Sequence, residues 1–119
     1  MLNFNSILLS SENPKKLAEF YGKVFEKKPD MNEEDYKGFL VGSCFLTIGP
    51  HDEVRGKSKN PQRILFNFET KDVKGEFERI KKLGAEVVAE PYQMGDAWIA
   101  TLADPDGNYF QLVTPWKQD

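Results

Sequence analysis

The chain has 119 residues, of which 39% are apolar and 29% charged, and a formal net charge of −3. This is the composition of one globular domain with its own core, and it excludes a disordered chain. No apolar run is long enough to cross a bilayer, and no basic run longer than Lys81-Lys82 indicates a nucleic-acid face.

Localisation and redox state follow from the same features. The N-terminus lacks the basic-then-apolar pattern of a signal peptide, and a single cysteine, Cys44, cannot form an internal disulfide. We therefore expect a cytoplasmic protein with no membrane or nucleic-acid partner, whose partners are small molecules or proteins.

The first half of the chain predicts a strand, a helix and two or three further strands. Residues 3–11 form a mostly apolar first strand. Asn13-Pro14 then supplies an N-cap and a residue suited to the first helical position, and an apolar stripe predicts a helix over 14–25. Residues 26–35 predict a loop or a short irregular edge strand, and the apolar runs at 36–41 and 43–48 predict a hairpin.

The second half repeats this order after a polar linker. Residues 63–70 alternate as a strand, with Phe66 and Phe68 on one face and Asn67 and Glu69 on the other. Asp72 predicts the cap of a second helix that ends near Gly84. Strands are expected at 85–89, 97–102 and 108–114, with a tight turn at 104–107.

The two halves form an internal repeat. The helix caps Asn13 and Asp72 are 59 residues apart, and FLTIGP (45–50) resembles FQLVTP (110–115) at an offset of 65. We place module one at about 1–50, the linker at about 51–62 and module two at about 63–116. Each module is too small to bury both faces of its sheet, so the two should pair.

Three stretches together resemble the vicinal oxygen chelate superfamily, which includes glyoxalase I, bleomycin-resistance proteins and extradiol dioxygenases. They are NPKKLAEFY (13–21), DVKGEFERIKKLG (72–84) and DPDGNYFQLV (104–113). The resemblance implies an α+β fold of two βαβββ modules, whose curled mixed sheets form a cup with the helices outside. It also implies a homodimer.

In that superfamily, a metal ion is held in the cup by the first and last strand of each module. Carried onto this chain, those positions fall on Ser6, Leu65, Gln111 and either Leu46 or, after a one-residue slip of register, Thr47. None of these is a carboxylate or an imidazole, so we predict no metal and no cofactor.

Other residues are candidates for ligand contact in the cup. Trp98 and Tyr109 combine apolar area with a polar group, and Trp116 would cover the end of the sheet or contact a second subunit. A glutamate enclosed in the cup could act as a general base, which makes Glu69 a candidate for catalysis. His51 beside two carboxylates is expected to lie in a solvated loop. The candidate ligand-binding residues are Ser6, Asn67, Glu69, Trp98, Tyr109 and Gln111.

Two classes of function stay open at this point. The first is a bleomycin-resistance-like protein that binds a small molecule without metal chemistry, and the acidic net charge would suit a cationic ligand. The second is an enzyme, either a metal-dependent lyase or dioxygenase with non-standard ligands or a metal-free isomerase that uses Glu69 as base.

Overall fold

The computed structural model describes residues 1–115 and divides the chain into two compact units, Met1–Gly56 and the part from Lys57 onward. Each unit contains one helix and one open, four-stranded mixed sheet. The predicted α+β fold with two βαβββ modules is confirmed. Trp116 lies outside the described residues.

The first unit contains β1 (Ser6–Ser10), α1 (Pro14–Phe25), β2 (Met31–Asn32), β3 (Lys37–Val41) and β4 (Cys44–Gly49). The strand order is β1-β4-β3-β2. Strand β1 runs parallel to β4, and the other neighbours are antiparallel.

The second unit begins with a 3-10 turn (Pro61–Arg63). It continues with β5 (Phe66–Glu69), α2 (Val73–Lys82), β6 (Glu86–Met94), β7 (Ala97–Ala103) and β8 (Tyr109–Val113). The strand order β5-β8-β7-β6 has the same pattern of one parallel and two antiparallel pairs. Neither described helix is long and apolar enough to cross a bilayer.

The two helices begin in the same way. The side chains of Asn13 and Asp72 accept hydrogen bonds from the backbone N–H three residues later, at 3.3 and 3.0 Å. In turn, the hydroxyls of Ser11 and Thr70 accept from the N–H of the capping residue, at 3.0 and 3.1 Å. These bonds satisfy N–H groups that a helix start leaves unpaired. Helix α1 spans the predicted residues, and α2 is followed by Gly84 at a φ of 97°.

Each helix covers one face of its own sheet. The buried stripe of α1 packs near β3 and β4, and that of α2 near β6, β7 and β8. Burial of these side chains is the main source of stability in each unit. The core residues are Leu17, Tyr21, Val24, Phe39, Leu46 and Ile48 in the first unit and Val73, Phe77, Ile80, Leu102, Phe110 and Leu112 in the second.

Strands β5 and β6 are the two strands of the second unit that differ most in length from the prediction. Strand β5 is shorter at its start, because Pro61 begins the 3-10 turn and the chain pairs only from Phe66. Strand β6 is longer, since it continues through Pro91 to Met94. It is an edge strand of its sheet, where a proline is tolerated, and its pairing with β7 is irregular between Val87 and Tyr92.

The face of each sheet that is turned away from its helix is called the open face below. Strand parity places every second residue there, because successive side chains point to opposite sides. In the first unit it carries Ser6, Leu8, Gly38, Leu40, Phe45 and Thr47. In the second it carries Asn67, Glu69, Ile99, Thr101, Tyr109, Gln111 and Val113.

Candidate functional site

A row of polar side chains crosses three strands on the open face of the second unit. Gln111 in β8 is in register with Asn67 in β5 on one side and with Thr101 in β7 on the other. The Gln111 Nε2 donates to Thr101 Oγ1 at 3.2 Å. This bond orients the amide, and within residues 1–115 no group donates a hydrogen bond to the Gln111 Oε1. The row can therefore both donate to and accept from a ligand.

Tyr109 and Glu69 flank the polar row on the same face. Tyr109 lies two residues before Gln111 in β8, and Glu69 lies two residues after Asn67 in β5, beside Val113. Tyr109 and Gln111 are half-buried, whereas Asn67 and Glu69 are exposed. The face thus combines an aromatic ring, amides and one carboxylate within the span of two neighbouring strands.

The register of β7 and β8 depends on the turn between them. The Asp104 carboxylate accepts from the backbone N–H of Asp106 and Asn108, at 2.9 and 3.0 Å, and from the Asn108 side chain. Gly107 adopts the positive φ of 78° that the predicted turn requires. The turn sets which residues of the hairpin face each other, and it thereby places Thr101 beside Gln111.

Thr101 is not among the candidates that the sequence pattern indicates. It is only 5% exposed, so its hydroxyl needs a partner, and Gln111 supplies one. A usable signal is that Thr101 is a single polar residue within the otherwise apolar strand AWIATLA.

Trp98 does not share a face with Tyr109 and Gln111, contrary to the expectation that these candidates contact one ligand together. Ile99 and Thr101 are in register with open-face residues of β8, so Trp98 points to the helix side. There the Lys74 ammonium of α2 lies 4.0 Å from the centre of the Trp98 ring. This geometry is that of a cation–π contact between helix and sheet.

Ser6 is the candidate that lies in the first unit. It is exposed on the open face there, in register with Phe45 of β4, and its hydroxyl donates to the Asn5 side chain at 2.8 Å. Four of the six candidates, Asn67, Glu69, Tyr109 and Gln111, share one face of the second unit.

The metal positions of the superfamily can be placed on the structure. Leu46 is buried beneath α1, so the slipped alternative Thr47 is the open-face residue of β4. The four positions then offer two hydroxyls, one amide and the side chain of Leu65, which cannot ligate. A divalent ion needs more charge or basicity than this set supplies, so these residues do not fit one.

Within residues 1–115, no group of three or more His, Cys, Asp or Glu residues is arranged to hold a metal ion. His51 is exposed, and its Nδ1 accepts from the Glu53 backbone N–H at 3.0 Å. Glu69 is also exposed, so the enclosed setting that a general base would use is not found around it.

Solved structures of several other proteins have the same fold. A glyoxalase-related enzyme from Fulvimarina pelagi aligns with a TM-score of 0.79 and 16% identity, over 97% of this chain and 89% of that one. A glyoxalase/bleomycin resistance protein/dioxygenase family enzyme from Burkholderia phytofirmans PsJN gives 0.77 and 19%, over 95% and 98%. The fosfomycin resistance protein FosX from Listeria monocytogenes gives 0.67 and 20%, over 98% and 93%.

A curated relative is similar in sequence over part of its length. The uncharacterized protein YetH of Bacillus subtilis (strain 168) is 34% identical over 67 residues, which are 56% of this chain and 54% of YetH. The match thus spans about half of that relative. The model of the Glyoxalase-like domain matches residues 6–113, and the chain belongs to that family.

Proposed function

We propose that this protein binds a small, polar and partly aromatic molecule without metal chemistry, and that the open face of the second unit supplies the main contacts. The observation that carries the proposal is the in-register row Asn67, Gln111 and Thr101, in which one end of the Gln111 amide is held by Thr101. A ligand amide or hydroxyl can bond to the other end.

The residues around the row indicate the chemistry of the ligand. The Tyr109 ring offers apolar area with a hydroxyl at its tip, which suits an aromatic group. The Glu69 carboxylate can pair with a cationic group, although its exposure limits that contribution to about 1 kcal/mol or less. A ligand with an aromatic ring, hydrogen-bonding groups and a positive charge fits this combination.

The names of the structural neighbours support a binding function of this kind. One belongs to a family labelled with bleomycin resistance, and FosX is a fosfomycin resistance protein. At 19% and 20% identity these proteins share the fold, and their ligands do not transfer. We propose sequestration of a small molecule, with bleomycin as the first probe and fosfomycin, an anion without an aromatic ring, as the contrasting probe.

The test is an NMR titration of the ¹⁵N-labelled protein with bleomycin, with fosfomycin and with a library of aromatic amines. A bound probe should shift the amide signals of β5 and β8 saturably. Gln111→Leu should weaken that binding about tenfold, because the ligand group that bonds to the Gln111 amide would lose its partner.

Gln93→Leu is the matched control. It makes the same change on β6, where Gln93 is in register with Trp98 on the other side of the sheet. Equal losses in the two variants, or binding by neither the probes nor the library, would overturn the proposal.

Two enzyme hypotheses are separated by further measurements. Elemental analysis of untagged protein expressed with Ni, Co, Mn, Fe and Zn should give well below one equivalent of any metal, and a stoichiometric metal would favour a metal-dependent lyase or dioxygenase. Glu69→Gln should weaken the binding of a cationic probe only slightly. Loss of a turnover reaction with binding intact would instead favour the isomerase.

We also propose that the protein is a cytoplasmic homodimer. The supporting observation is apolar exposure on the open face of the first unit, where Leu8 and Leu40 are 63% and 51% exposed. Such side chains, on the two strands that flank β4, can pack against a second copy. In sedimentation analysis, Leu8→Ser combined with Leu40→Ser should shift the protein toward the monomer, and an unchanged mass would argue against this interface.

A further inference from the structure

A cavity of ≈ 420 Å³ lies beside α1 in the first unit, between one face of the helix and the segment that follows it. Its floor is formed by small residues, Ala18 and Gly22, together with Pro29. Around them stand five lysines and one glutamate, Lys15, Lys23, Lys27, Lys28, Lys37 and Glu19. We call this cavity the lysine pocket.

The helical spacing of the chain creates one wall of the pocket. Lys15, Glu19 and Lys23 recur every four residues and therefore lie on one face of α1, with Ala18 and Gly22 beside them. A larger residue than Gly22 would not fit easily in the floor of the pocket. A Cβ at residue 22 would lie 3.3 Å from the Lys27 carbonyl oxygen, which is tighter than most real contacts.

The turn after α1 creates the opposite wall. Glu26 adopts a left-handed conformation, with φ of 57°, and the Lys27 N–H bonds back to the Gly22 carbonyl at 3.1 Å. The chain therefore reverses direction at the helix end and brings Lys27 and Lys28 beside the face that carries Lys23.

Two of the five lysines are held in place. Lys27 Nζ lies 2.6 Å from the Asp30 carboxylate and donates to the Leu40 carbonyl at 2.9 Å. Lys37 Nζ donates to the Glu33 carbonyl. These contacts hold the charged ends of Lys27 and Lys37 against neighbouring groups of the first unit.

Lys15 and Lys28 form no ion pair within the described part of the chain. Five lysine side chains and one glutamate thus line the cavity, on a protein whose net charge is −3. Closely spaced like charges repel each other, and a bound anion would relieve that repulsion.

We propose that the lysine pocket binds a small soluble polyanion, an organic molecule that carries a phosphate group or several carboxylates. The volume is within the range of small-molecule pockets, about 300–1,000 Å³. The size and concave shape favour a compact ligand. Lysine binds phosphate and carboxylate groups as a point charge without fixed geometry. This site lies on the helix side of the first unit, so it does not depend on the open-face proposal for the second unit.

The test is a titration of the ¹⁵N-labelled protein with sodium pyrophosphate and, in a second arm, with citrate, at low and at physiological salt. Saturable shifts should appear at the amides of Gly22, Lys27 and Lys28, and affinity should fall with added salt. The probe that binds with higher affinity shows whether phosphate or carboxylate is the preferred group.

Paired charge variants decide whether the binding is specific. Lys15→Gln with Lys28→Gln should weaken pyrophosphate binding about tenfold, since two unpaired cations are lost. Lys71→Gln with Lys82→Gln removes the same charge from exposed lysines of the second unit and should leave the affinity within about twofold. Glu19→Gln should tighten binding about threefold, because it removes the carboxylate of the lining.

Three outcomes would overturn the proposal. They are shifts that do not saturate with either probe, equal weakening in the two double variants, and weaker binding in Glu19→Gln. All of these variants change exposed side chains, and the unchanged amide spectrum of each free variant would confirm that it is folded.

Discussion

The two units have the same topology and the same helix starts, yet their open faces differ in chemistry. In each unit, the residue two positions before the helix cap bonds to the last residue of the neighbouring parallel strand. The Ser11 N–H donates to the Gly49 carbonyl, and the Thr70 N–H donates to the Val113 carbonyl, each at 2.9 Å. These bonds define which positions correspond. Leu8 in the first unit then corresponds to Asn67 in the second, and Thr47 corresponds to Gln111.

The comparison separates what the scaffold needs from what a site needs. The helix-side positions are apolar in both units, because they are buried beneath α1 or α2. The open-face positions are under no such demand, and there the first unit carries Leu8 and Thr47 where the second carries the aligned amides of Asn67 and Gln111. Polar recognition is therefore expected in the second unit and apolar contact in the first.

The largest expected effect tests the difference between the two faces of β8. Phe110 is fully buried on the helix side and its ring lies 5.7 Å from that of Phe68, whereas Tyr109 is half-buried on the open face. Phe110→Ala should lower the free energy of unfolding by about 3–5 kcal/mol, since it leaves a cavity in the core. Tyr109→Ala should cost about 1–2 kcal/mol and should also weaken ligand binding.

Urea unfolding of both variants gives the comparison. The strand assignment predicts a clear excess of destabilisation in Phe110→Ala. The reverse order would mean that the faces of β8 are exchanged.

The helix starts offer a second comparison. Residue 16 in α1 is a lysine, but the corresponding residue of α2 is Gly75, and a Cβ there would collide with the Asp72 carboxylate that caps the helix. A glycine-to-alanine change in a helix normally adds about 1 kcal/mol of stability. Gly75→Ala should not, because it displaces the cap, whose loss costs about 1 kcal/mol.

A double-mutant cycle measured by urea unfolding isolates this coupling. Asp72→Ala alone should be destabilising, and Gly75→Ala should become stabilising when it is added to Asp72→Ala. Additive effects would contradict the predicted collision.

A third change converts the open face of the second unit into that of the first. Asn67→Leu with Gln111→Thr places the residues of positions 8 and 47 at the corresponding sites. The loss of the bond to Thr101 should cost about 1 kcal/mol, and the exposed Asn67 should contribute little. Binding of any probe found for the open face should be lost.

The reciprocal variant, Leu8→Asn with Thr47→Gln, is the control for that exchange. It alters the first unit by the same residue types and should leave the binding of the probe unchanged in the NMR titration. Equal losses in the two variants would remove the distinction between the open faces.

Local signals were sufficient to predict the helices, whereas the register of the strands required the structure. Asn13-Pro14 and the apolar stripe indicate the start and end of α1 because capping and helical periodicity are local. The match of FLTIGP with FQLVTP aligns Leu46 with Gln111, but backbone pairing aligns Thr47 with it. A slip of one residue exchanges the faces of a strand.

Trp98 and the lysine pocket were beyond prediction for related reasons. The side on which Trp98 lies depends on the pairing of β7 with β8, which no short motif specifies. The pocket joins residues from Lys15 to Lys37 through a left-handed Glu26, and a glutamate gives no sequence signal for that conformation.

The smallest expected effect concerns Asp30, at the edge of the lysine pocket. The hydrogen bond from Lys27, together with that from the Leu40 N–H, lowers the pKa of the Asp30 carboxyl below its ordinary value of 3.8. A lowered folded-state pKa stabilises the fold at pH values above the unfolded-state pKa. That contribution is lost as the pH falls through the folded-state value. Asp30→Asn should therefore be slightly less stable than the natural chain at pH 7, and the two stabilities should converge below pH 3.8. Urea unfolding of both proteins between pH 2 and pH 7 measures this difference, and a gap that widens toward low pH would contradict the assigned sign. The exposure of the pair keeps this effect on stability small.

The same Asp30→Asn variant also tests the lysine pocket. It releases Lys27 from its carboxylate, and pyrophosphate should then bind more tightly although the fold is less stable.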